Sequence, residues 1–171
     1  MNFRVWTIGH STRTGSEFLA LLAEHDIEAI ADVRRHPGSR RLPQFGSAEL
    51  AASLSAHGLE YLWLPQLGGR RRPAPDSPHT AWRHPSFRGY ADYLQTEPFA
   101  EGLDELVSLA CGVRTAIMCA EAVWWRCHRA LLADVLRSLG FEVIHILGAS
   151  SAVPHPYTSP ASMRGGRLSY V

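Results

Sequence analysis

The sequence predicts an α/β fold: a mostly parallel five-stranded sheet with helices on both faces, in a single domain. Three observations carry this. Strand-like apolar runs alternate with helix-like runs through mostly short connections. The chain has 171 residues, 46% of them apolar and 19% charged, which suits one globular domain with a real core. Polar residues also gather directly after the strand candidates, where sheets of this kind bind ligands.

Residues 3–8 (FRVWTI) read as the first strand, and Gly9-His10-Ser11-Thr12-Arg13 as the loop after it. Thr14-Gly15-Ser16-Glu17 has capping-box spacing, and Phe18, Leu19, Leu21 and Leu22 give the apolar face of the helix that follows. Residues 27–33 form a second strand ending in Arg34-Arg35-His36-Pro37-Gly38. A helix over about 47–57 stops at Gly58, and 59–64 is a third strand. A long Arg/Pro/Gly-rich loop near 65–87 separates it from helical segments near 88–95 and 98–110. The fourth strand ends at Cys119, a helix runs over about 124–139, and 141–147 (FEVIHIL) is the fifth strand. An irregular Ser/Pro/Gly-rich tail over 148–171 completes the domain, taken as residues 1–171.

Composition narrows the chemistry. No apolar run approaches a bilayer span and the first strand begins at once, so a cytoplasmic protein without membrane attachment is expected. Three cysteines do not suggest a disulfide framework. All 17 basic residues are arginine, so no lysine Schiff base is available and every side-chain cation is a planar fork suited to phosphate or carboxylate. Nine arginines face three acids between residues 34 and 91, although the whole chain carries only +1. His25, His57 and His79 read as surface residues.

Residues 113–137 (VRTAIMCAEAVWWRCHRALLADVLR) concentrate the candidate chemistry. A thiol at a strand end, facing a helix start and arginines, favours the thiolate, which makes Cys119 a candidate nucleophile; the alternative is a buried structural cysteine. Glu121, between an apolar strand and two tryptophans, suits an acid or base if partly desolvated, or else an ion pair with Arg126, Arg129 or Arg34. His10 is a third candidate for proton transfer. Arg34, Arg40 and Arg129, with Ser11 and His128, form the expected substrate-binding set, and Asp32 is a bidentate partner for a neighbouring arginine. Cys127 aligns with Leu131, Val135 and Leu139 at helical spacing and reads as core. Cys119, Cys127, His128 and His10 lack the tight ligand pairs of compact zinc motifs, and Cys127 and His128 would diverge by about 100° on a helix, so neither metal nor cofactor is assigned.

The same residues carry a family resemblance. Thr7-Ile8-Gly9-His10-Ser11, Asp32-Val33-Arg34 with Pro37, Ser39 and Arg40, Leu67-Gly68-Gly69, Gly89-Tyr90-Ala91-Asp92-Tyr93, and Cys119-Ala120-Glu121 with Cys127-His128-Arg129 occur in this order. In these motifs the chain resembles the bacterial and archaeal family known as domain of unknown function 488, from Thr7 to about Tyr157. Gln66 departs from the pattern, since relatives often place an acid there. The resemblance implies a site at these motifs and no particular reaction.

Two functions fit. One is a small enzyme, a thiol- or carboxylate-dependent hydrolase or transferase, acting on an anionic phosphate- or carboxylate-bearing substrate at the carboxyl edge of the sheet. The other is a nucleic-acid-binding or repair-type module, in which arginine loops hold phosphates while Trp82, Phe87 and Tyr90 stack bases. Oligomeric state is not legible.

Overall fold

Thr14 caps the first helix as its spacing predicts: its hydroxyl accepts from the Glu17 amide, and the Glu17 carboxylate accepts from the Thr14 amide. The computed structural model describes residues 3–171. The chain runs β1 (Arg4–Gly9), α1 (Gly15–Glu24), β2 (Ala29–Asp32), α2 (Ser47–Ala56), β3 (Glu60–Trp63), α3 (Pro85–Tyr93) and α4 (Glu97–Gly112). It continues through β4 (Thr115–Cys119), α5 (Arg129–Ser138), β5 (Glu142–Gly148), β6 (Ser151–Pro154), β7 (Ser162–Arg164) and β8 (Arg167–Ser169).

The main sheet has six strands, ordered β3-β2-β4-β1-β5-β6, and the first five in that order are parallel. This corrects the expected count of five. The added β6 pairs antiparallel with β5 at the edge. Its four residues are all exposed and it contains a proline, a pattern that edge strands tolerate and that hides them from periodicity. The tail, expected to be irregular, also forms the β7–β8 hairpin.

Alternation along the strands sorts the core into two halves. Trp6, Ile8, Ile30, Ala116 and Met118 face Phe18, Leu22, Leu50 and Leu54 of α1 and α2. Val5, Ala31, Ile117, Cys119 and Val143 face Tyr90, Phe99, Leu106, Leu131 and Leu136 of α3, α4 and α5. Helices therefore cover both faces. β4 lies between β2 and β1, yet the chain leaves it toward α5, on the face opposite to that taken after β1 and β2. This reversal opens a crevice at the carboxyl end of β4.

The 65–87 segment is closely tied down. Tyr90 and Tyr93 donate their hydroxyls to the Leu67 and Gln66 carbonyls, Arg71 lies 3.8 Å over the Tyr93 ring, and Asp92 accepts from Ala74 and Ser77. His79 is buried against Tyr170 and Asp92, which corrects its reading as a surface residue. Among the described residues, no helix is long and apolar enough to cross a membrane.

Candidate functional site

The β1–β4 ladder continues past the strand ends: His10 and Ser11 donate backbone N–H groups to the Cys119 and Ala120 carbonyls. The loop after Cys119 then crosses directly over Gly9, where a Cβ would stand 1.7 Å from the Glu121 carbonyl oxygen. Only glycine admits that crossing. Beside it opens a cleft of about 580 Å³. Its walls come from the loops after β2 (Arg34, Arg35, His36), β3 (Gly69, Arg70) and β4 (Cys119 to Glu121, Trp125 to His128), and from the start of α3 (His84, Ser86, Phe87).

Two sulfurs meet at this cleft. Cys119 and Cys127 Sγ lie 2.9 Å apart, and the side chains are 2% and 8% exposed. Cys127 is not on a helix. It stands extended (φ −136°, ψ 155°) between a 3-10 turn at Trp124–Arg126 and α5, so the 100° divergence expected between Cys127 and His128 does not arise. Their side chains instead meet, with Cys127 Sγ 3.4 Å from His128 Nδ1. His128 Nε2–H donates to the Val33 carbonyl at 3.1 Å, which leaves Nδ1 to face the sulfur. The Arg129 amide also donates to Cys127 Sγ at 3.4 Å.

These contacts split the two thiols. Burial pushes the Cys119 thiol well up, and its hydrogen bond with Cys127 adds to this. Burial also works against charge on Cys127, but the Cys119 thiol, the His128 ring and the Arg129 charge outweigh it and hold Cys127 well below the ordinary range. Burial therefore works against the thiolate expected at Cys119. Helical spacing had concealed the second thiol, whereas its neighbours His128 and Arg129 were the available signal.

The remaining predicted residues divide between the cleft and its supports. Arg34 lines the cleft, but Asp32 holds it bidentately at 2.9 and 2.7 Å while Tyr61 donates to the same carboxylate. That carboxylate neutralises much of the Arg34 charge. His10 stacks on Phe45 and uses both nitrogens, one on the Ser11 carbonyl and one accepting from Arg34. Burial lowers its pKa, and the Arg34 charge adds to that. It props Arg34 from behind the cleft. Ser11 and exposed Arg40 do not line the cleft. Glu121 does line it, with an exposed side chain that makes no ion pair among the described residues.

Arg129 lies beneath the site. It is 1% exposed and donates to Thr7 Oγ1 at 3.1 Å and to the Glu121 carbonyl at 2.7 Å. A hydrogen-bonded chain continues from Thr7 through His145 and His155 to the buried Asp134 carboxylate. Thr158 and Tyr170 complete the shell of Asp134. The exposed cations at the cleft are Arg35, Arg70 and Arg126, none of which belonged to the expected substrate-binding set. Among the described residues no three His, Cys, Asp or Glu side chains gather as metal ligands.

A family model described as domain of unknown function DUF488 matches residues 14–136, a span holding the cysteine pair, His128, Arg129 and the arginine loops. The chain belongs to this family. No curated protein and no solved structure matches it. The family match stops short of β5 and the tail, which supply His145, His155, Thr158 and Tyr170 to the buried chain.

Proposed function

We propose that this family member is a small thiol-dependent hydrolase or transferase acting on an anionic substrate. The observation that carries the reading is Cys127 Sγ at a cationic cleft, ringed by the Cys119 thiol, the Arg129 amide and His128 Nδ1. Such a sulfur is stabilised as a thiolate, with its proton resting on His128. Arg35, Arg70 and Arg126 clamp the substrate's phosphate or carboxylate, together with the edge of Arg34 that Asp32 leaves free. The thiolate attacks an electrophilic centre beside that group. The bond to the leaving group breaks, and the His128 proton follows the leaving group. Glu121, exposed on the lip, serves the water or acceptor that completes the transfer.

Alkylation with matched reagents tests this. Iodoacetate normally reacts more slowly with thiolates than neutral iodoacetamide does. The cleft reverses that order at Cys127, and Arg70→Ala with Arg126→Ala restores it. An ordinary order in the unmodified protein would refute the anionic-substrate reading.

A second reading rests on Trp125, 52% exposed among these arginines and facing the same cleft as Phe87. A flat aromatic beside guanidinium forks suits a nucleic-acid strand. Oligonucleotide binding that weakens steeply with salt and is lost in Trp125→Ala would favour it.

A further inference from the structure

We propose that Cys119 and Cys127 form a dithiol–disulfide pair, joined at the cleft by two-electron oxidation with a hydroperoxide. The proposal rests on the reading above for Cys127 as the attacking thiolate, and it gives that site an oxidised off state.

The geometry is nearly that of the product. The sulfurs are 2.9 Å apart, and a disulfide requires them to close by about 1 Å. Cys119 is the last residue of β4, with parallel partners on both sides. Cys127 follows a short 3-10 turn whose Trp125 and Arg126 are exposed, so the approach falls on the loop side. The third cysteine, Cys111, is exposed on α4 and belongs to neither sulfur's surroundings. Both sulfurs line the cleft yet are almost buried, which admits a small peroxide and excludes a bulky protein thiol.

The steps balance. The Cys127 thiolate attacks one peroxide oxygen; an S–O bond forms and the O–O bond breaks. The departing oxygen takes the proton held at His128 Nδ1. The Cys119 thiol then attacks the Cys127 sulfur; the S–S bond forms, the S–O bond breaks, and hydroxide leaves with the Cys119 proton as water. Two thiols lose two electrons and the peroxide gains them. Oxidation removes the nucleophile and closes residues 119–127, including Glu121, Trp125 and Arg126, into a small ring.

The test uses the full chain, reduced, then treated with hydrogen peroxide, quenched with an alkylating agent and mapped by peptide mass. The expected product joins the Cys119 and Cys127 peptides, lighter by two hydrogens, with Cys111 still alkylated and the link reversed by dithiothreitol. In Cys119→Ser the sulfenic acid persists on Cys127 and is trapped by dimedone. Cys119 and Cys127 both remaining alkylatable while Cys111 is oxidised would overturn the proposal. So would over-oxidation of Cys127 beside an untouched Cys119 in the unmodified protein. The two readings fail separately: losing the iodoacetate preference leaves the cross-link in place, and an absent cross-link leaves that preference intact.

Discussion

Two polar clusters meet at Arg129, and they treat their charges in opposite ways. Beneath the loop, the chain from Arg129 through Thr7, His145 and His155 to Asp134 is sealed from solvent. Arg129 donates at one end and Asp134 accepts at the other, with Thr7, His145 and His155 bridging them. Above the loop, Arg35, Arg70, Arg126 and Glu121 are exposed around an open cleft, and Glu121 has no ionic partner among the described residues. Arg129, bonded to Thr7 and to the Glu121 carbonyl, holds the loop in shape. Charges left open are the ones available to a ligand.

The largest expected effect comes from breaking the sealed cluster. Asp134 accepts from His155, Tyr170, and the amide and hydroxyl of Thr158. Asp134→Ala strands those donors and removes the partner of His155, at an expected cost of about 3–5 kcal/mol in urea unfolding. Glu121→Gln is the matching change in the open cluster and should leave unfolding within about 0.5 kcal/mol. Equal costs for the two substitutions would erase the distinction between the clusters.

Acid sharpens the same contrast. Burial depresses the His145 pKa from 6.5 to about 2, and the neighbouring His155 and Arg129 charges lower it further. A depressed pKa means the folded state resists a proton that the unfolded chain accepts. The contribution is therefore complete above the unfolded value and is lost as pH falls from about 6.5 toward 2. This one group should remove up to about 1.4 kcal/mol per pH unit in that window. His145→Gln should flatten that part of the pH–stability curve, whatever its cost at neutral pH.

A smaller effect probes the join between Gly69 and His128. A Cβ on Gly69 would stand 2.8 Å from His128 Nδ1. Gly69→Ala should displace the ring from Cys127 and slow alkylation of that thiol at neutral pH, at about 1–3 kcal/mol of stability. Unchanged Cys127 reactivity would detach His128 from the sulfur. The smallest effect on folding belongs to the rim. Arg70→Ala and Arg126→Ala should each shift unfolding by less than about 0.5 kcal/mol, yet weaken the rise in melting temperature given by phosphate or sulfate.

Much of the open cluster was legible, because α/β chains carry their sites at strand ends and each strand here announces itself by an apolar run. The Asp32–Arg34 pair and the placement of Arg34, Cys119, Glu121 and His128 at one cleft follow from that regularity. Cys127 was obscured because three apolar residues at helical spacing also fit an extended residue just before a helix. The sealed cluster was harder to read, since Thr7, Asp134, His145, His155 and Tyr170 are far apart in the chain. It did leave a trace: His145 falls on an inward position of FEVIHIL, and Asp134 sits between Ala133 and Val135 in a largely buried helix. β6 left none, because an exposed edge strand ending in proline looks like loop.

The pH dependence of alkylation shows whether the open cluster centres on a Cys127 thiolate. Iodoacetamide labelling, resolved by peptide mapping, gives a rate for each cysteine across the pH range. With a thiolate at Cys127, that residue should react at lower pH than exposed Cys111, Cys119 should react last, and His128→Gln should move the Cys127 profile upward. A Cys127 profile that coincides with that of Cys111, or lies above that of Cys119, would contradict it.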